Sequence, residues 1–200
     1  MRIKSEERKQ KILEVAAKIF AKHGFDNTSI SDITAKVGGS KATIYNYFRS
    51  KEEIFVCATE KFADEHKLNI CNSLKDSDKP IEESLFDFSS TLLRFLIRKE
   101  IIAAKRMIYS PTTPKDVANF FYNEGPRNTR LLLTGYFDNQ VKKGVLKQCD
   151  TEVLARQLTA LLVYPFHEKL MLQVDLNPSD SEIDNHIKDT IDLLLCFYKA

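Results

Sequence analysis

Between residues 38 and 48 the chain reads GGSKATIYNYF, a dense run of side chains with something to bond. Lys41 carries three N–H donors, Thr43 and Asn46 offer both donors and acceptors, and Tyr45 and Tyr47 each join an apolar ring to a hydroxyl. These groups suit recognition of a patterned polyanion better than bond-making. Asn and Thr match base edges, Ala42 fits a thymine methyl, Lys41 reaches guanine or a phosphate, and a tyrosine hydroxyl donates to a phosphate oxygen. Stepping 100° per residue from Lys41 puts Ile44 and Phe48 on one side with Tyr45 at its edge; Ala42, Thr43, Asn46 and Tyr47 fall opposite. The first set is an anchor and the second a free outer face.

So short a helix does not form alone, because nucleation is costly, and the flanking sequence supplies what it leans on. Ile12, Val15, Ala16, Ile19 and Phe20 form one stripe of a first helix that Gly24 ends. Thr28 or Ser29 caps a second, with Asp32 completing an approximate capping box and Ile30, Ile33 and Val37 at helical spacing. Gly38 stops it and Ser40 caps the third. Three helices with a tight glycine turn before the last describe a helix-turn-helix, whose third helix enters a major groove. A fourth, long helix begins near Lys51 and runs to about Leu74. Its first turn with Lys51, and the Ser29 end of the second helix, are placed to hold phosphates.

Charge agrees with that division. Residues 1 to 51 hold 11 Lys and Arg against 5 Asp and Glu, a net +6, whereas the remainder holds 19 against 23, a net −4. A basic head on an acidic body directs a polyanion to the head. The four cysteines, at 57, 71, 149 and 196, show no CxxC spacing, which predicts free thiols in a reducing compartment. The first ten residues are too charged to lead a signal peptide, and no apolar run approaches the roughly 18 residues a span requires. The expectation is a cytoplasmic chain with no membrane partner. No HExxH, GxSxG or Walker loop occurs, and the histidines at 23, 66, 167 and 186 are scattered. Cys57, His66 and Cys71 share one predicted helix but not one face. Neither an enzyme, a metal nor a cofactor is expected.

The rest also reads as helix, giving an all-α fold of two domains, 1–50 and 51–200. After the polar break at 75–80, Ile81, Leu85, Phe88, Leu92 and Phe95 line one face, and Pro111 and Pro114 punctuate the chain before a stretch over roughly 115–143, jogged at Gly125-Pro126. Leu154, Leu158, Leu161 and Leu162 open another long helix that Pro165 is expected to kink or break. A last helix runs from about Ser181 through Ile183, Ile187, Ile191 and Leu194.

Residues 12 to 55, with the Ala16–Phe25 run, the Thr28-Ser29 start, Ile33–Val37 and TIYNYFRSKEEIF, resemble the N-terminal DNA-binding domain of the TetR/AcrR family of bacterial transcriptional regulators. Residues 121 to 146 look like the corresponding segment of AcrR-type members. The resemblance implies an all-helical homodimer with a helix-turn-helix head and a body for effector binding and dimerisation. It implies DNA contacts from Ser29, Lys41, Ala42, Thr43, Tyr45, Asn46, Tyr47 and Lys51. One departure stands out: Gly38-Gly39-Ser40 replaces the family's usual Gly-Val-Ser, which is expected to remove a packing contact and loosen the turn.

The function expected is a repressor that binds a pseudo-palindromic operator as a homodimer and is released by a small hydrophobic effector. Phe95, Met107, Tyr109, Phe120, Phe121 and Tyr136 are the candidate pocket residues. Leu154, Leu158, Leu161, Leu162, Ile187, Ile191 and Leu194 are the candidates for a four-helix dimer seam. Two alternatives stay open at this point: a regulator of the same shape with no small-molecule switch, or one tuned through Cys57 or Cys71, and a helical interaction module that does not bind DNA.

Overall fold

The computed structural model describes residues 2–74 and 79–200, and within that span the side chains of 2–5, 21 and 60–69 lie outside the description. Among the described residues there are ten α-helices and no strand beyond an isolated bridge between Leu146 and Lys199. They are α1 (Arg2–His23), α2 (Ile30–Val37), α3 (Lys41–Tyr45), α4 (Lys51–Ser73), α5 (Ile81–Leu96), α6 (Lys99–Ile108), α7 (Lys115–Tyr122), α8 (Asn128–Lys142), α9 (Thr151–Met171) and α10 (Asp180–Tyr198). A π-helical turn, Asn123–Arg127, joins α7 to α8 at the expected Gly125-Pro126 jog. No helix is long and apolar enough to cross a membrane among the described residues.

The chain forms two compact units, 1–64 with 99–121 and 65–98 with 122–200. The division therefore differs from a single break at residue 50. The start of α4 supplies Ile54, Phe55 and Ala58 to the head core, and α6 supplies Ala104. In the head, α1 packs on α2 and α2 on α3 around Ile12, Ala16, Phe20, Ile33, Ile44 and Phe48. Phe55 meets Phe20 edge-on at 4.8 Å and lies 5.1 Å from Phe25, which fastens the end of α1 to α4. The body unit is built on Leu85, Phe88, Leu93, Leu133, Phe137 and Leu158, with α8 against α9 and α5 against α10. Arg94 on α5 reaches Asp184 at 2.8 Å and also pairs with Asp180, both in the first turns of α10.

Two elements depart from the expectation. Helix α6 was not foreseen, because the break at Ile97-Arg98 carries neither glycine nor proline: Ile97 simply turns the chain at φ −90°, ψ 0°. Pro165 neither breaks nor ends α9, which continues to Met171. The missing N–H leaves the Leu161 carbonyl without its usual donor, but Leu162 and Phe166 are buried on either side of the proline and hold both halves in place.

Candidate nucleic-acid interface

Ser29 and Ser40 are the N-caps that set the two helices of the helix-turn-helix. The Asp32 N–H donates to Ser29 Oγ at 3.2 Å, and the Asp32 carboxylate accepts from the Ser29 hydroxyl at 2.7 Å and its N–H at 2.8 Å. Those two bonds, the hydroxyl first, hold the Asp32 carboxyl below the usual range. At α3 the Thr43 N–H donates to Ser40 Oγ at 3.3 Å while the Ser40 N–H donates to Thr43 Oγ1 at 3.2 Å. Five residues make a helix here because both ends of that box are closed and Ile44 and Phe48 are fully buried behind it.

The outer face is divided differently from the helical wheel. Lys41, Ala42 and Asn46 are exposed, and Tyr45 is 51% exposed; no protein group bonds the side chains of Lys41 or Asn46 among the described residues. Tyr47, expected outside, is half-buried against the head core, and Tyr45, expected at the edge of the buried stripe, points away from it. The reason is local. The Tyr47 N–H bonds Ile44 O at 3.0 Å, three residues back, and in such a tightened turn residues i and i+3 eclipse, so Tyr47 follows Ile44 inward. Thr43 is half-buried, and its hydroxyl is engaged in the cap.

Lys51 is held inside the head. Its Nζ donates to Phe25 O at 2.9 Å and Thr28 O at 3.0 Å and lies 4.1 Å from the Phe25 ring centre. Two of its three donors thus fasten the loop between α1 and α2. The Gly38-Gly39 turn, expected to be loosened, is bonded to α1. Both residues take left-handed φ angles, 80° and 101°, and the Arg8 guanidinium donates to Gly38 O at 2.5 Å. Sequence reasoning missed Arg8 because nothing in its spacing links it to a turn thirty residues away.

The candidate effector residues divide between the two units. Met107, Tyr109, Phe120 and Phe121 belong to the head unit, where Met107 and Phe121 pack on the core and Tyr109 and Phe120 are exposed. Phe95 and Tyr136 belong to the body unit. A cleft of about 230 Å³ in the head is lined by Phe20, Phe25, Phe55, Thr59, Lys99 and Glu100 among others, and none of the six reaches it. In the body, burial raises the Tyr136 phenol above its ordinary value, an effect the nearby Ser84 hydroxyl partly offsets. Among the described residues the two hydroxyls do not reach hydrogen-bonding geometry with each other, and with that of Ser89 they are buried without a bonded partner there. The His66 side chain lies outside the described residues, and none of the four cysteines is in a disulfide.

Of the dimer candidates, Leu154, Leu158, Leu162, Ile187, Ile191 and Leu194 are buried in the body's own core, and Leu161 is exposed. The apolar stripe of these helices closes on α5 and α8 of the same chain. Exposed apolar residues of α9 and α10 are instead Leu161, Tyr164, Leu193 and Phe197. The helices run antiparallel, with the Tyr198 hydroxyl donating to Gln157 and His186 Nε2 3.1 Å from Leu162 O, which brings Leu193 level with Leu161.

Residues 83–200 match the C-terminal domain of AefR-like transcriptional repressors, and residues 12–57 match the bacterial regulatory proteins of the tetR family. The chain belongs to the TetR family. It is 25% identical over 154 residues to the transcriptional repressor ComR of Escherichia coli, spanning 75% of this chain and 73% of ComR. The structure of a TetR-family transcriptional regulator from Mesorhizobium loti superposes with a TM-score of 0.85 at 21% identity, covering 98% of each chain. The flavonoid-responsive regulator FrrA superposes at 0.68 with 25% identity, covering 97% of this chain and 98% of its own. Like other TetR-family chains, this one is a DNA-binding transcriptional regulator and not an enzyme.

Proposed function

We propose that this TetR-family protein is a repressor that binds a pseudo-palindromic operator as a homodimer and leaves it when a small effector enters the body. The observation that carries the DNA-reading half is the face of α3: Lys41, Ala42, Tyr45 and Asn46 are solvent-facing while Ile44 and Phe48 anchor the helix from behind. Asn46 reads a base edge, Ala42 packs on a thymine methyl, and Lys41, Tyr45, Tyr47, Ser29 and the remaining donor of Lys51 position the backbone. Thr43 serves the interface through its cap.

Two recognition helices address successive major grooves when two copies pair, and the exposed apolar face of α9 and α10 is the surface offered to the second copy. Effector binding draws support from Ser84, Ser89 and Tyr136, whose buried hydroxyls have no bonded partner among the described residues, an arrangement that is unfavourable until a polar group meets them. The effector is accordingly a small, largely apolar molecule with an uncharged hydrogen-bonding group. Residues of α4 belong to both units, so one continuous helix carries a change from body to head. A tenfold loss of operator affinity needs only about 1.4 kcal/mol of coupling.

The test is selection of bound fragments from a random DNA library, followed by thermal shift of the protein with a panel of flavonoids and neutral lipids. Enrichment of a two-fold symmetric sequence supports the operator reading. A compound that raises Tm and releases that DNA, but does neither with the Ser84→Ala, Tyr136→Phe variant, supports the effector reading. A regulator that keeps its operator whatever is added would be the unswitched form.

A further inference from the structure

The sequence around α3 accounts for the groups that face a base, but one cation of α1 also sits at this edge of the head. Arg8 is half-buried, and its Nη2 donates to Gly38 O. A Cβ built on Gly39 would stand 3.1 Å from Thr43 Oγ1 and 3.3 Å from Arg8 Nη2, tighter than ordinary contact, and the φ of 101° resists any L side chain. The second glycine thus leaves open the space that the Arg8 guanidinium and the Thr43 side chain occupy. Thr43 closes the cap of α3, so the guanidinium lies at the end of the recognition helix that approaches the DNA first. One of its five N–H donors is engaged with Gly38 O, and the geometry of the fork leaves others directed elsewhere.

We infer that Arg8 is a DNA-contacting residue: fastened by the diglycine turn beside the Ser40–Thr43 cap, it supplies a phosphate contact in addition to those of α2, α3 and α4. The inference rests on α3 being the reading helix. Gly38-Gly39 then has two uses at once, ending α2 and seating a cation at the interface. A contact of this kind adds affinity without sequence preference and is weakened by salt through counterion release.

The experiment follows binding of the full-length protein to its selected operator from about 50 to 200 mM salt. Arg8→Ala and Arg8→Gln are both expected to lower the slope of log affinity against log salt by about 0.9 per bound subunit, with the selected consensus unchanged. Gln retains a donor for Gly38 O, so its slope reports the lost charge even where Ala also loosens the turn. Arg8→Lys restores most of the slope. Gly39→Ala displaces the guanidinium and reproduces the Arg8→Ala slope, and the double variant loses no more than either single one. A wild-type slope retained in both Arg8→Ala and Arg8→Gln overturns the inference and leaves the arginine as a fastening for the turn; a wild-type slope in Gly39→Ala overturns the role given to the diglycine. A wild-type protein that selects no DNA overturns the reading of α3 itself, and this contact with it.

Discussion

Asn46 and Lys51 show how exposure separates two polar residues that look equivalent in a motif. Asn46 has an unengaged amide at the outer face of α3, so Asn46→Ala is expected to cost roughly 1–3 kcal/mol at one operator position and little at others, measured by competition among single-base operator variants. Lys51 has two donors on the α1–α2 loop and its charge over the Phe25 ring. Lys51→Met therefore lowers stability by about 1–3 kcal/mol in chemical denaturation, with weaker DNA binding following from the loosened loop. Lys105, on α6, is only 9% exposed and lacks an ion-pair partner among the described residues, and burial pushes its ammonium down to about 8 from an ordinary 10.5. Between those two pH values the unfolded chain still holds a proton that the folded chain has released, so stability rises with pH across the window, by up to about 3 kcal/mol, and the cost of the buried charge is fully present below pH 8. Lys105→Met should raise Tm at pH 7 and flatten that rise in melts across the same range.

At the scale of elements, caps and stripes were legible and phase was not. The box at Ser29 could be read because Ser with an acidic residue three positions on is a local signature, and Ser40 could be read as a cap; the reciprocal bond from Thr43 that closes the second box could not. Ser40→Ala should lower stability by about 1 kcal/mol and weaken operator binding more than that alone explains, since a five-residue helix depends on its cap; melts and titrations of the same variant separate the two effects. Tyr45 and Tyr47 exchanged places because a uniform 100° step fails once the chain tightens after Ile44. The start of α6 was not legible, since Ile97-Arg98 turns without a glycine or proline to mark it. The stripe on α9 and α10 was legible as apolar, but periodicity does not say whether a stripe faces its own chain or another. Exposure makes the distinction, and it leaves Leu161, Tyr164, Leu193 and Phe197 outside the core.

For the whole molecule, that distinction predicts opposite outcomes for neighbouring leucines. Leu161→Arg and Phe197→Arg should give folded monomers in sedimentation, with far-ultraviolet circular dichroism unchanged and tight operator binding lost, whereas Leu158→Arg should fail to fold because it places a charge in the body core. The basic head was visible in the sequence as a net +6 over residues 1 to 51, while the seat of Arg8 on Gly38 depended on three-dimensional proximity across thirty residues. Effector identity was not legible, because an aromatic at helical spacing reads the same whether it packs a core or lines a cavity. Sequence-specific regulation depends on the outward face of α3, and the direct measurement is selection of bound sequences from random DNA by the wild type and by Asn46→Ala in parallel. The wild type should enrich a two-fold symmetric consensus that the variant reproduces everywhere except at one symmetry-related base pair in each half; the same consensus from both proteins, or none from the wild type, would contradict it.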